Sequence, residues 1–153
     1  MLQIALWEPE IPPNTGNIAR LCAAAACPLH LIGRLGFRMD EKSLRRAGLD
    51  YWDCVDLHRH DSLAALEEIL KAQSARLFCL SAHATIPYTK IPFRTGDCLL
   101  FGAETRGLPP EVLQRYGDAC YTIPMVSEKV RSLNLAAATG IVLYEGLRQL
   151  HGW

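Results

Sequence analysis

No apolar run in this 153-residue chain approaches the roughly 20 residues that a helix needs to cross a bilayer, which argues against an integral membrane protein. No basic and then apolar leader opens it either. Met1 runs straight into LQIALW, which reads as a strand, so a cytoplasmic protein is expected. The cysteines lack every spacing that would give them chemistry. Cys22, Cys27, Cys54, Cys79, Cys98 and Cys120 form no CxxC pair, have no CxxH neighbour and fall mostly inside apolar stretches. They are read as reduced core residues, with neither zinc nor disulfides. A GxGxxG fingerprint is missing, which removes the main support for a nicotinamide-dependent dehydrogenase. Charge of one sign is missing too: 16 basic residues balance 16 acidic ones, so the chain as a whole does not announce a nucleic-acid binder.

What is present is an alternation of short apolar runs with helical stretches. Half the residues are hydrophobic and no linker, repeat or low-complexity segment interrupts them, so one domain spanning residues 1–153 is expected. Strands are predicted over 2–7, 29–33, 54–58, 76–81, 98–102 and 121–124. Helices are predicted from Asn14 or Thr15 to just before Pro28, over 40–47 with Gly48 as its stop, over 61–73, from Pro109-Pro110 to near Gly117, and over 132–150 with Ser132 as its cap. The uniformly apolar runs suit strands buried on both faces of a parallel sheet. The order specifies an α/β fold with a mostly parallel sheet.

Ligands of such sheets bind beyond the carboxyl ends of the strands, where three segments are unusual. In PPNTGNIAR (12–20), Gly16 allows close approach and Arg20 lies one turn into a helix. LLFGAETRGLP (99–109) ends a buried strand in a glycine, a carboxylate, an arginine and a second glycine. IPMVSEKVRSLNLAAATG (123–140) leads into a helix whose first turn offers free backbone N–H groups and whose Ala136, Ala137, Ala138 and Gly140 permit close packing. Between Arg34 and Arg46, the basic Arg34, Arg38, Lys42, Arg45 and Arg46 outnumber Asp40 and Glu41. The five histidines show no catalytic spacing and are read as structural or surface residues.

In order and separation, PNTGNIAR, LLFGAETRGLP and IPM followed by VRSLNLAAA resemble the three motifs of the SpoU/TrmH class of SPOUT methyltransferases. The flanking LWEPEIPPNTGNIARLCA and RRAGLDYW (45–52) extend the resemblance over essentially the whole chain, toward the branch that methylates the ribose of the cytidine or uridine at the tRNA wobble position.

The resemblance implies an α/β domain with a deep C-terminal trefoil knot, S-adenosylmethionine as the methyl donor and no metal. It implies a cofactor pocket built from Leu80, Gly102, Ile123, Met125, Ser132 and Leu133. It matches Arg20 to the family's catalytic arginine, with Asn14, Glu104 and Asn134 as polar companions that position Arg20 or the ribose. A guanidinium is a poor base, so Arg20 is expected to orient a phosphate and offset charge developing on the ribose oxygen. The implied partners are the tRNA anticodon stem-loop and a second copy of the chain, with Arg131 and Tyr144 at the dimer interface, and neither DNA nor a membrane. Ribose methylation elsewhere in tRNA or ribosomal RNA, and a non-catalytic RNA-binding knot protein, are the alternatives.

Overall fold

In the computed structural model, which describes residues 1–40, 42, 46 and 51–153, seven strands form one sheet in the order β3-β2-β1-β6-β4-β7-β5, every neighbouring pair parallel. The strands are β1 (Gln3–Trp7), β2 (Leu29–Ile32), β3 (Leu57–His60), β4 (Leu77–Leu80), β5 (Ile86–Pro87), β6 (Cys98–Phe101) and β7 (Cys120–Thr122). Among the described residues four helices with both ends defined accompany them: α1 (Pro12–Ala24), α2 (Leu63–Ala72), α3 (Pro110–Tyr116) and α4 (Leu135–His151), numbered in chain order. The helix predicted over 40–47 lies for the most part outside the described residues.

Because side chains alternate across a strand, each central strand feeds two cores. Ile4 and Leu6 of β1, with Leu29, Leu31, Leu99 and Phe101, pack against Ile18 and Cys22 of α1 and Val142, Leu143 and Leu147 of α4. Ala5, Ile32, Cys79, Cys98 and Leu100 face the other way, onto Leu63, Leu66 and Leu70 of α2 and Val112 of α3. Each such leucine or isoleucine contributes about 1.5–3 kcal/mol by leaving water. This explains the apolar runs IALW in β1 and CLLF in β6.

Several elements start elsewhere than their sequence suggests. Helix α1 begins at Pro12, not at Asn14 or Thr15, and has no side-chain cap of its own; Pro12 and Pro13 lack the N–H groups that a first turn would have to satisfy. The strand predicted over 54–58 is displaced to Leu57–His60, because the N–H groups of Cys54 and Val55 bond back to the carbonyls of Tyr51 and Trp52, making a 3-10 turn over Trp52–Cys54. Helix α4 begins at Leu135, capped by Asn134 and not by Ser132: the Asn134 Oδ1 accepts the Ala137 N–H at 3.1 Å. Five cysteines are buried as expected, but Cys54 is exposed; all six are free. Among the described residues no helix is long and apolar enough to cross a membrane.

His30 and His60 join Gln3 in a partly buried polar chain. His30 on β2 is 3% exposed, with its Nε2 3.0 Å from Gln3 Oε1 and its Nδ1 2.9 Å from His60 Nε2. Gln3 Nε2 donates to Gln73 and to the Gly96 carbonyl, so Gln3 Oε1 must accept from His30 Nε2–H, leaving Nδ1 as the acceptor for His60. Burial first, then the neighbouring His60 and His58, hold the His30 pKa down at about 4. Burial lowers His60 as well. A depressed histidine stabilises the fold fully above the unfolded value near 6.5 and loses that contribution as pH falls toward 4. The change for His30 alone is about 3 kcal/mol. Urea midpoints should therefore fall between pH 7 and pH 5, with a shallower fall in His30→Gln. Equal pH slopes for the two proteins would contradict this account.

Candidate functional site

From the adjacent strands β1 and β6 the chain runs on in opposite directions, to β2 on one side and to β7 on the other, so the loops leaving these two strands meet at a topological switch point. Their meeting is a reciprocal lock. The Glu104 carboxylate, after β6, accepts the N–H of Glu10 at 2.9 Å and of Ile11 at 2.6 Å, satisfying the start of α1 from 93 residues away in sequence. In return the Glu10 carboxylate accepts the Thr105 N–H at 3.2 Å and the Thr105 hydroxyl at 2.8 Å, while Arg106 pairs with Glu8 at 3.2 Å.

Asn14 carries the lock toward the C-terminal segment. Its Nδ2 donates to Glu104 Oε2 at 3.3 Å, and its Oδ1 accepts from Asn134 Nδ2 at 2.9 Å. The amide of Asn134 is thereby used twice, capping α4 with its oxygen and holding Asn14 with its nitrogen. Glu104, Asn14 and Asn134 thus form one hydrogen-bonded line joining the loops after β1, β6 and β7. Asn14, the middle member, is buried, and with both ends of its amide satisfied it has one arrangement open to it.

Beside this line lies a cavity of about 810 Å³, within the size range of small-molecule sites. The carboxyl ends of β4, β6 and β7 form its floor, and residues 131–135 form its far wall. Leu80, Gly102, Ile123, Met125, Ser132 and Leu133 all line it, as do Asn14, Glu104 and Asn134. Leu80, Ile123, Leu133 and Leu135 offer apolar surface for a flat ring, while Ser81, Ser132 and the strand-end backbone offer hydrogen-bonding groups. Among the described residues no cluster of histidine, cysteine and carboxylate side chains could hold a metal ion.

Arg20 is not part of that wall. It lies six residues beyond Asn14, about 9 Å along α1 and on a different face of it, exposed, with its guanidinium carbon 5.0 Å from the centre of the Tyr51 ring. Glu10 and Thr105 were not singled out from sequence, although the pairing of EPE in one loop with ETR in the other was their visible signal. Arg131, expected at an interface, also borders the cavity. Arg34, Arg38, Lys42 and Arg46 are exposed; Arg45 lies outside the described residues.

The model of the SpoU rRNA Methylase family matches residues 1–144. Among curated proteins, a tRNA (cytidine(34)-2'-O)-methyltransferase of Yersinia pestis is 50% identical over 154 residues, covering 98% of this chain and 94% of that protein. Its Escherichia coli K12 counterpart of the same name is 47% identical over 151 residues, covering 98% and 94%. A solved structure described as giving insights into the 2-OH methylation of C/U34 on tRNA superposes with a TM-score of 0.94 at 52% identity, over 100% of this chain and 98% of that one. The SpoU methyltransferase AviRb of Streptomyces viridochromogenes, solved with the cofactor AdoMet, gives a TM-score of 0.86 at 26% identity, over 100% of this chain and 62% of that one.

Proposed function

The chain belongs to the SpoU rRNA Methylase family, and from that premise we propose that it methylates the ribose 2′-hydroxyl of the wobble nucleotide 34 of tRNA, with S-adenosylmethionine as donor. One observation carries the reading: relatives named for that reaction match nearly end to end, at about half identity. The cavity suits the donor in size and in lining, with apolar walls for adenine and hydroxyl and backbone groups for the ribose and amino-acid tail. The six expected cofactor residues are the ones that would enclose it. Bound there, S-adenosylmethionine supplies a methyl group already activated on a sulfonium.

The chain's own residues do the rest. Glu104, Asn14 and Asn134 hold three loops in one arrangement, so that the rim of the cavity stays fixed when RNA arrives. Arg20 presents a fork of N–H donors to a phosphate and to the ribose oxygen as negative charge builds there. Family membership also supports the knotted passage of the C-terminal segment and a single domain over residues 1–153.

A second copy of the chain belongs to this reading. Ile141 and Tyr144 of α4 are 39% and 46% exposed, more apolar surface than a solvated helix face needs. Pairing would bring together two sets of Arg34, Arg38, Lys42 and Arg46 with Lys129 and Arg131, giving a neutral chain a basic track for RNA. Sedimentation at micromolar concentration should show the dimer, and a monomer alone would remove this part of the proposal. For the activity, labelled S-adenosylmethionine is incubated with total tRNA and the product mapped by nuclease digestion. Label on the ribose of nucleotide 34 is expected. Label elsewhere would shift the target within the family, and no transfer to RNA at all would overturn the reading.

A further inference from the structure

A flexible arginine on an exposed helix face is a poor catalytic element unless something limits where its guanidinium points, since an unheld side chain gives up rotamer freedom at the moment it is needed. Arg20 is held. Its guanidinium carbon stands over the ring of Tyr51, 5.0 Å from the centroid, within the range of a cation–π contact.

Tyr51 is itself tied down through its backbone and the residue that follows it. Its carbonyl accepts the Cys54 N–H at 2.9 Å, closing the 3-10 turn over Trp52–Cys54, and the neighbouring Trp52 packs against the main core. On the other partner's side, Ile18, Ala19 and Cys22 anchor α1 around Arg20. The residue nevertheless remains 39% exposed, more than a tyrosine kept only for packing would need.

We propose that Tyr51 is a positioning residue for Arg20, holding the guanidinium by its π face so that the cation arrives oriented at the RNA. The inference rests on the role of Arg20 given under the proposed function. The chemistry favours a ring over a carboxylate in this place. A carboxylate would neutralise the charge and occupy two of the five donors, whereas a cation above a ring keeps its charge and leaves the in-plane N–H fork free for a phosphate or an oxyanion.

The test compares Tyr51→Leu and Tyr51→Phe with the unsubstituted protein in single-turnover methyl transfer to tRNA, each also in an Arg20→Ala background. Tyr51→Leu should slow transfer two- to fivefold, the size expected of a partly exposed cation–π contact, with the KM for tRNA unchanged within about twofold. Tyr51→Phe keeps the ring face and should restore the rate. In the Arg20→Ala background, Tyr51→Leu should change nothing further. Independently of activity, the Arg20 Nε–H resonance should carry a ring-current shift that is lost in Tyr51→Leu and kept in Tyr51→Phe.

The proposal is overturned by an unaltered rate in Tyr51→Leu, by a loss that persists without Arg20, or by a loss confined to the KM for tRNA, which would mean that the ring touches RNA directly. A normal rate in Arg20→Ala alone would instead remove the catalytic reading of Arg20. The resonance shift would then report the contact with no function attached.

Discussion

Arg20→Ala should lower the single-turnover rate of methyl transfer by about 10²–10³-fold while leaving cofactor binding within about twofold. The split follows from geometry. Arg20 stands off the wall of the cavity, so removing it takes nothing from the surface that would enclose the donor. Nor should the fold suffer, because the residue is exposed on α1 and alanine is the better helix former. In the role proposed for Arg20, what is lost is a positive charge and a planar set of donors for the ribose oxygen as it becomes anionic. Arg20→Lys separates these two contributions, since lysine restores the charge without the fork and should recover only part of the rate. Isothermal titration with S-adenosylhomocysteine and rapid-quench transfer assays on the same samples measure both quantities. A wild-type rate in Arg20→Ala would take the residue out of the mechanism.

The centre of the sheet was legible because β1, β4 and β6 are almost wholly apolar and the helices beside them carry one apolar face, patterns that do not imitate each other. β5 was not, since two residues including Pro87 carry no pattern and are strand only by lying beside β7. The start of α1 was misplaced for a related reason. Asn14 and Thr15 are the capping types near it in sequence, whereas its first turn is served by Glu104, brought to it by the fold alone. The six residues that motif resemblance proposes for the cofactor line one cavity, yet spacing could not bring them together, because they come from three strand ends and the approach to α4. The Glu10–Thr105 exchange and the His30 chain were hidden for the same cause. Each joins residues far apart in sequence whose types, taken singly, are ordinary surface polar groups.

Gly102→Ala should abolish measurable binding of S-adenosylhomocysteine, a weakening of at least about 100-fold, and lower stability by roughly 1–3 kcal/mol. A methyl on Gly102 would sit 2.2 Å from the Gly107 carbonyl carbon, 2.3 Å from the Leu108 nitrogen and 2.6 Å from the Gly107 Cα. All three are backbone atoms, so no rotamer change can relieve the overlap. The turn 103–107, closed by the Gly107 N–H to Ala103 carbonyl bond at 2.8 Å, would have to move off the end of β6 as a unit. Glu104 rides on that turn. Its displacement would release the start of α1 and, through Asn14, the Asn134 cap of α4, so one methyl group at the floor of the cavity would loosen three of its sides. Gly107→Ala provides the contrast. Nothing lies within 4 Å of the added methyl there, and the cost is limited to the left-handed backbone at φ 66°, roughly 1–2 kcal/mol, with binding retained. Calorimetry and thermal unfolding of both variants distinguish the two effects. If Gly102→Ala bound the cofactor product as well as Gly107→Ala does, the cavity at the switch point would not be where the donor sits.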